Sequence, residues 1–140
     1  MIWRQEVLND ELLFRCWYRK ISHLVSLLKE VRHLAECQVN MLSYRQILLD
    51  KITDFKTTKQ KRQGAYDRYY KIKYREYSID YDIKLTSGEK VAFIKADLSH
   101  LRTQMEMLQS HMDYYQECIK TCDNLAFAIR NRINLDDKEY

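Results

Sequence analysis

The chain has 140 residues, with no proline, two glycines and 46% hydrophobic residues, which suits one modest helical domain better than two separate cores. Its longest stretches free of Asp, Glu, Lys and Arg are eight residues, Ile21 to Leu28 and Cys37 to Tyr44, well short of the roughly 20 that span a bilayer, so no membrane partner is expected. Net charge is only +4, but it is unevenly placed. Lys56, Lys59, Lys61, Arg62, Arg68, Lys71, Lys73 and Arg75 face Asp67 alone between residues 56 and 75, a local +7 that leaves −3 for the rest. A local concentration of one sign of charge is what gripping phosphates requires.

The start, MIWRQEVLNDELL, lacks the basic and apolar regions of a secretory signal, so a reducing cytoplasm and four thiols rather than disulfides are expected. Leu12, Leu13, Phe14, Trp17 and Tyr18 form an apolar cluster, read as a leading cap over residues 1–20. From Ile21 the chain reads as helix to residue 77. Its apolar columns recur every seven residues: Leu27, Leu34, Met41, Leu48 and Phe55, flanked by Leu28, Ala35, Leu42 and Leu49. Two adjacent columns are wide enough to touch more than one neighbour.

The end of this helical half, KQKRQGAYDRYYKIKYREY, is the most informative stretch, and two functions compete for it. At helical spacing Tyr66, Tyr70, Tyr74 and Tyr77 share one face and are expected in the core. Tyr69 lies off that line among basic residues, where a base can stack while cations meet the backbone of a single strand. The DNA-binding set is therefore Lys56, Lys59, Lys61, Arg62, Arg68, Tyr69, Lys71, Lys73 and Arg75. Nothing in it presents Asn, Gln and Arg toward a major groove, so a non-specific single-strand grip is expected.

Residues 78–88 read as an extended connector, because Ile79, Tyr81, Ile83 and Leu85 alternate with Asp80, Asp82 and Lys84 in the two-residue period of a strand. Thr86 with Glu89 three positions on marks a capping box and the start of a long helix, 89–134. Along it Val91, Ile94, Leu98, Leu101, Met105, Leu108, Met112, Tyr115, Ile119, Cys122, Ala126, Ile129 and Ile133 alternate spacings of three and four, the seam of a coiled coil. A stripe that long needs a partner helix from its own chain, a neighbouring subunit or both. Val91, Ile94, Leu98, Leu101, Met105, Leu108, Met112, Tyr115, Ile119 and Ile129 are the oligomerisation positions.

No glycine-rich phosphate loop, nucleophile elbow or helical metal-protease pair occurs, so no catalytic residue, cofactor or metal is assigned. His33 with Cys37, and Cys118 with Cys122, have the four-residue separation of paired ligands, but Cys122 occupies a seam position where packing alone explains it. His100 and His111 are read as solvated or interfacial.

The order of three landmarks, Tyr69-Tyr70 after a basic helical segment, FIKAD at 93–97 and FAIRN at 127–131, resembles the UvsY family of recombination mediators of T4-type bacteriophages. The resemblance covers residues 34–133. It implies a non-enzymatic helical protein that forms a ring-like homo-oligomer, binds single-stranded DNA, and loads a RecA-like recombinase onto strands covered by single-strand-binding protein in the cytoplasm of the infected bacterial host. Two features depart from the family pattern: Gly64, Ala65 and Tyr66 precede the tyrosine pair closely, and the tail NLDDKEY lacks a basic, aromatic ending. The alternative from the residues themselves is a coiled-coil structural or adaptor subunit whose tyrosine-rich segment is a protein interface.

Overall fold

The computed structural model describes residues 2–27 and 33–138, with side chains described at 14–27 and 33–135. Among these residues it is all-α, with no strand. Helix α1 spans Ile2–Leu27, α2 Leu34–Arg75, α3 Ser87–Asp97 and α4 Ser99–Lys138, and a π-helical turn, Glu76–Asp80, extends the end of α2. The boundary expected at residue 20 is absent: α1 runs across it and ends at Leu27. No glycine or proline marks this end, which left it invisible in the sequence.

The chain divides into two compact units, 1–50 with 115–140 and 51–114, where one domain is expected. The first unit joins α1, the start of α2 and the later part of α4. Trp17, Leu24, Leu34, Cys37, Met41, Leu48, Tyr115, Ile119, Cys122, Leu125 and Ile129 are buried in it. Trp17 meets Tyr44 edge-on with ring centres 5.8 Å apart, while the Cys37 thiol donates to the Leu24 carbonyl at 3.5 Å. These pairs fix α1 and α2 as antiparallel. Lys20 Nζ stands 4.8 Å from the Trp17 ring centre and 5.2 Å from that of Tyr44, a cation held over two π faces. Arg45 Nε donates to Asp123 Oδ1 at 2.9 Å at the edge. Of the two expected columns on α2, Leu34, Met41 and Leu48 are buried, whereas Ala35 and Leu42 are exposed and Leu28 lies outside the described residues. Phe14 is half-buried against Tyr115 and Tyr18 is exposed; the side chains of Leu12 and Leu13 lie outside the described ones.

In the second unit the later part of α2 runs antiparallel to α3 and the start of α4. Phe55 packs on His111 at 5.6 Å, Lys59 Nζ donates to Gln109 Oε1 at 2.7 Å, and the Tyr77 hydroxyl donates to Asp97 Oδ2. Ile94, Leu98 and Leu101 form its buried cluster, with Tyr66, Tyr70 and Tyr77 packed on it. The capping box forms as expected: Thr86 Oγ1 accepts from the Glu89 amide and Glu89 Oε2 from the Thr86 amide, each at 3.2 Å. The helix that follows is not continuous. At Leu98 the backbone turns to φ −99°, ψ 10°, its amide donating to the Ala96 and Ile94 carbonyls. Its own carbonyl accepts from Leu101 and Arg102, so α4 restarts on the residue where α3 stops, and Leu98 stays in the core.

Of the extended connector expected over 78–88, residues 78–80 belong instead to the π-helical turn and 87–88 to α3, while Tyr81 is extended and a bend follows at 82–83. Its alternating pattern has no strand beside it among the described residues, and a lone strand leaves its amides and carbonyls without a ladder.

Candidate nucleic-acid interface

Helical geometry sorts the basic residues of α2 into two populations. Successive residues turn by 100°, so the side that holds Tyr66, Tyr70 and Tyr77 against Ile94 and Leu101 also holds Lys59, which is half-buried and bonded to Gln109. Lys73 is half-buried and pairs with Glu76 at 3.2 Å. Arg62 is half-buried on the flank. On the opposite side Lys61, Arg68, Lys71 and Arg75 are all exposed, spaced by seven, three and four residues along one ridge. Among the described residues none of these four forms an ion pair. Lys56 is exposed one turn and a half before Lys61. The eight cations of the set thus divide into a solvent-facing ridge of four, three engaged by or leaning on the protein, and Lys56 exposed ahead of them.

Gly64 belongs to the ridge, between Lys61 and Arg68. A Cβ there would meet nothing within 4 Å, and its φ is negative, so the backbone does not require glycine at this point. Asp67, the one carboxylate of the segment, accepts from Gln63 Nε2 at 3.0 Å along the same helix.

Tyr69 is 51% exposed on the flank of the ridge, with Ile72 beside it one turn on. Tyr74 is a correction to the expected core face. It is 40% exposed and stays outside the Ile94 cluster, with Lys90 Nζ 5.4 Å from its ring centre. The reason is the angular drift of the helix: with Tyr66, Tyr70 and Tyr77 centred on the core, Tyr74 falls about 60° to one side.

The α4 seam is occupied inside the chain. In the second unit Ile94, Leu98, Leu101, Met105 and Met112 are buried and Val91 and Leu108 half-buried; in the first, Tyr115, Ile119, Cys122 and Ile129 are buried, Ala126 half-buried and Ile133 exposed. Of the partner helices that the stripe requires, α1 and α2 of the same chain supply surfaces that cover most of it, leaving Val91, Leu108 and Ala126 half-buried and Ile133 exposed. Off the seam, Ala35, Val39 and Leu42 line one exposed face of α2.

Neither cysteine pair carries a metal geometry. Cys37 points to the Leu24 carbonyl, Cys118 and Cys122 are buried, and among the described residues no group of three or more His, Cys, Asp or Glu side chains could hold an ion. Burial first, then Cys118 and Asp123, push the Cys122 thiol up to about 11, away from the reactive thiolate. His100 is exposed, whereas His111 is buried against Phe55. Among the described residues no helix is long and apolar enough to cross a membrane.

The fold and this ridge define an all-α protein with a basic, tyrosine-bearing helix face. Comparison with models of known families, with curated proteins and with solved structures finds no match to the chain.

Proposed function

We propose that this chain is a recombination mediator: a non-catalytic factor that binds single-stranded DNA without reading its sequence, self-associates into a ring, and helps a RecA-like recombinase load onto strands covered by single-strand-binding protein. The observation that carries the DNA-binding step is the unpaired ridge Lys61, Arg68, Lys71 and Arg75 with exposed Tyr69 on its flank. Cations that satisfy no carboxylate among the described residues remain available to phosphates, and an aromatic face on the same helix accepts any base. The mediator role, the recombinase and the single-strand-binding protein come from the resemblance to the UvsY family. Repetition of the ridge around an oligomer raises a modest grip to a strong one. With most of the seam covered in-chain, self-association draws support from the exposed Ala35, Val39 and Leu42 line instead.

The adaptor reading has an observation of its own: Ile72, Ile79, Ile83 and Phe93 are exposed near the same end of the molecule's second unit. Salt separates the two. Fluorescence anisotropy of a labelled oligonucleotide should show affinity falling steeply with salt, and neutralising Lys61, Arg68, Lys71 and Arg75 together should flatten the dependence by roughly 0.7 in slope per lost contact. Unchanged affinity and slope in that variant would overturn the DNA-binding reading and favour the adaptor.

A further inference from the structure

The tract from Tyr81 to Leu85 has the alternation of a strand and, among the described residues, no strand to pair with. Tyr81 is extended at φ −89°, ψ 129°, and a bend at 82–83 leads on to the cap of α3. Among the described residues Ile83 to Leu85 make no backbone hydrogen bond to another part of the chain. Ile83 is 65% exposed, and Asp80, Asp82 and Lys84 are exposed as well. Unpaired backbone of this kind is a template for another chain.

The tract is also its own complement. Laid antiparallel on a second copy with Ile83 opposite Ile83, it places Asp82 opposite Lys84 and Lys84 opposite Asp82, and Tyr81 opposite Leu85. Every cross-strand pair then joins like polarity or opposite charge. Registers centred one residue to either side set Asp82 on Asp82 or Lys84 on Lys84, which repel. The apolar side of the pair, Tyr81, Ile83 and Leu85, is continuous with aromatic surface already present: Tyr81 lies 5.3 Å from Tyr77, and Tyr77 5.7 Å from the partly exposed Phe93.

We propose that residues 81–85 form a two-fold antiparallel β-pair between two copies of this chain, centred on Ile83, with the bend at 82–83 straightening as the ladder forms. The pair names one contact of the self-association proposed above and rests on it. A two-fold contact closes at two copies, so a ring needs a second, different contact.

Charge reversal tests the register, with mass read by sedimentation velocity at micromolar concentration. Lys84→Asp sets carboxylate against carboxylate and Asp82→Lys sets ammonium against ammonium, and each should halve the mass of the assembly. The double variant Asp82→Lys/Lys84→Asp restores opposite charges and should restore the mass. Both positions are exposed, so helical circular dichroism should be unchanged in all three. An assembly whose mass ignores the single reversals, or which the double variant fails to restore, overturns the pairing and leaves self-association standing. A wild type sedimenting at its 17.1 kDa monomer mass overturns both.

Discussion

Tyr77 donates its hydroxyl proton to Asp97 Oδ2 at 2.5 Å, tying the π-helical end of α2 to the last residue of α3. That bond, then burial, then the Asp97 charge push the Tyr77 hydroxyl up to about 12 from its ordinary value of 10. The protonated phenol is the form the folded state prefers, so the stabilisation is complete below pH 10 and is lost as pH rises from 10 through 12. Tyr77→Phe keeps the ring on Ile94 and removes only the bond. It should cost about 0.5–1.5 kcal/mol in urea melts at neutral pH, toward the low end because solvent reaches the pair. The gap between variant and wild type should shrink above pH 10, and a gap independent of pH would assign the loss to packing.

Gly64 should be a site of easy stabilisation. It lies inside a 42-residue helix with open space where a Cβ would go, so alanine adds helix propensity without a clash. Gly64→Ala is expected to raise stability by about 1 kcal/mol, a few degrees in melting temperature for a chain of this size. A lower melting temperature would mean that the helix is distorted there.

What the sequence made legible was periodicity, and what it hid was the identity of partners. The Thr86–Glu89 box and the seam from Ile94 to Ile129 appear where spacing places them, because caps and stripes are local properties. Spacing says that a stripe is covered and nothing about what covers it, which is why it left the chain's own helices and a neighbouring subunit both open as partners. The extended pattern at 79–85 is half realised: Tyr81 is extended, but among the described residues no second strand builds a ladder on it, and residues 79–80 stay in the π-helical turn. Tyr74 was lost to angular drift, a displacement of tens of degrees that three- and four-residue counting does not resolve, and no glycine or proline marks the break at Leu98. The basic ridge was half legible. Clustering found all its members, but the 100° turn per residue and the neighbours Gln109 and Glu76 are what separate Lys59 and Lys73 from Lys61 and Arg68.

The cysteines should split one to three. Cys16 is exposed, while Cys37, Cys118 and Cys122 are buried. Burial, then Glu36, also pushes the Cys37 thiol up, so two of the three interior sulfurs are both shielded and held protonated. A chromogenic thiol reagent at pH 8 should titrate one cysteine rapidly in the native protein and all four in denaturant. Fast labelling of two or more would show that the first unit opens readily.

The tyrosine pair gives the sharpest division between fold and binding, because adjacent residues on one helix face opposite tasks. Tyr70 is half-buried, 6.2 Å from Tyr66, and packs on the Ile94, Leu98 and Leu101 cluster, whereas Tyr69 stands half in solvent beside the ridge. Tyr70→Ala removes a ring from that cluster and should destabilise by about 2–3 kcal/mol, below the 3–5 typical of a fully buried aromatic. Tyr69→Ala removes little packing and should leave melting within about 0.5 kcal/mol of wild type. Its effect belongs in DNA binding, where one lost base stack lowers single-strand affinity by about 1–3 kcal/mol, measured by anisotropy at fixed salt. Substituting Phe at the same position keeps a π face and should keep most of the affinity. If Tyr69→Ala binds like wild type while neutralising the ridge still abolishes binding, the strand is held by charge alone and no base stacks on this helix.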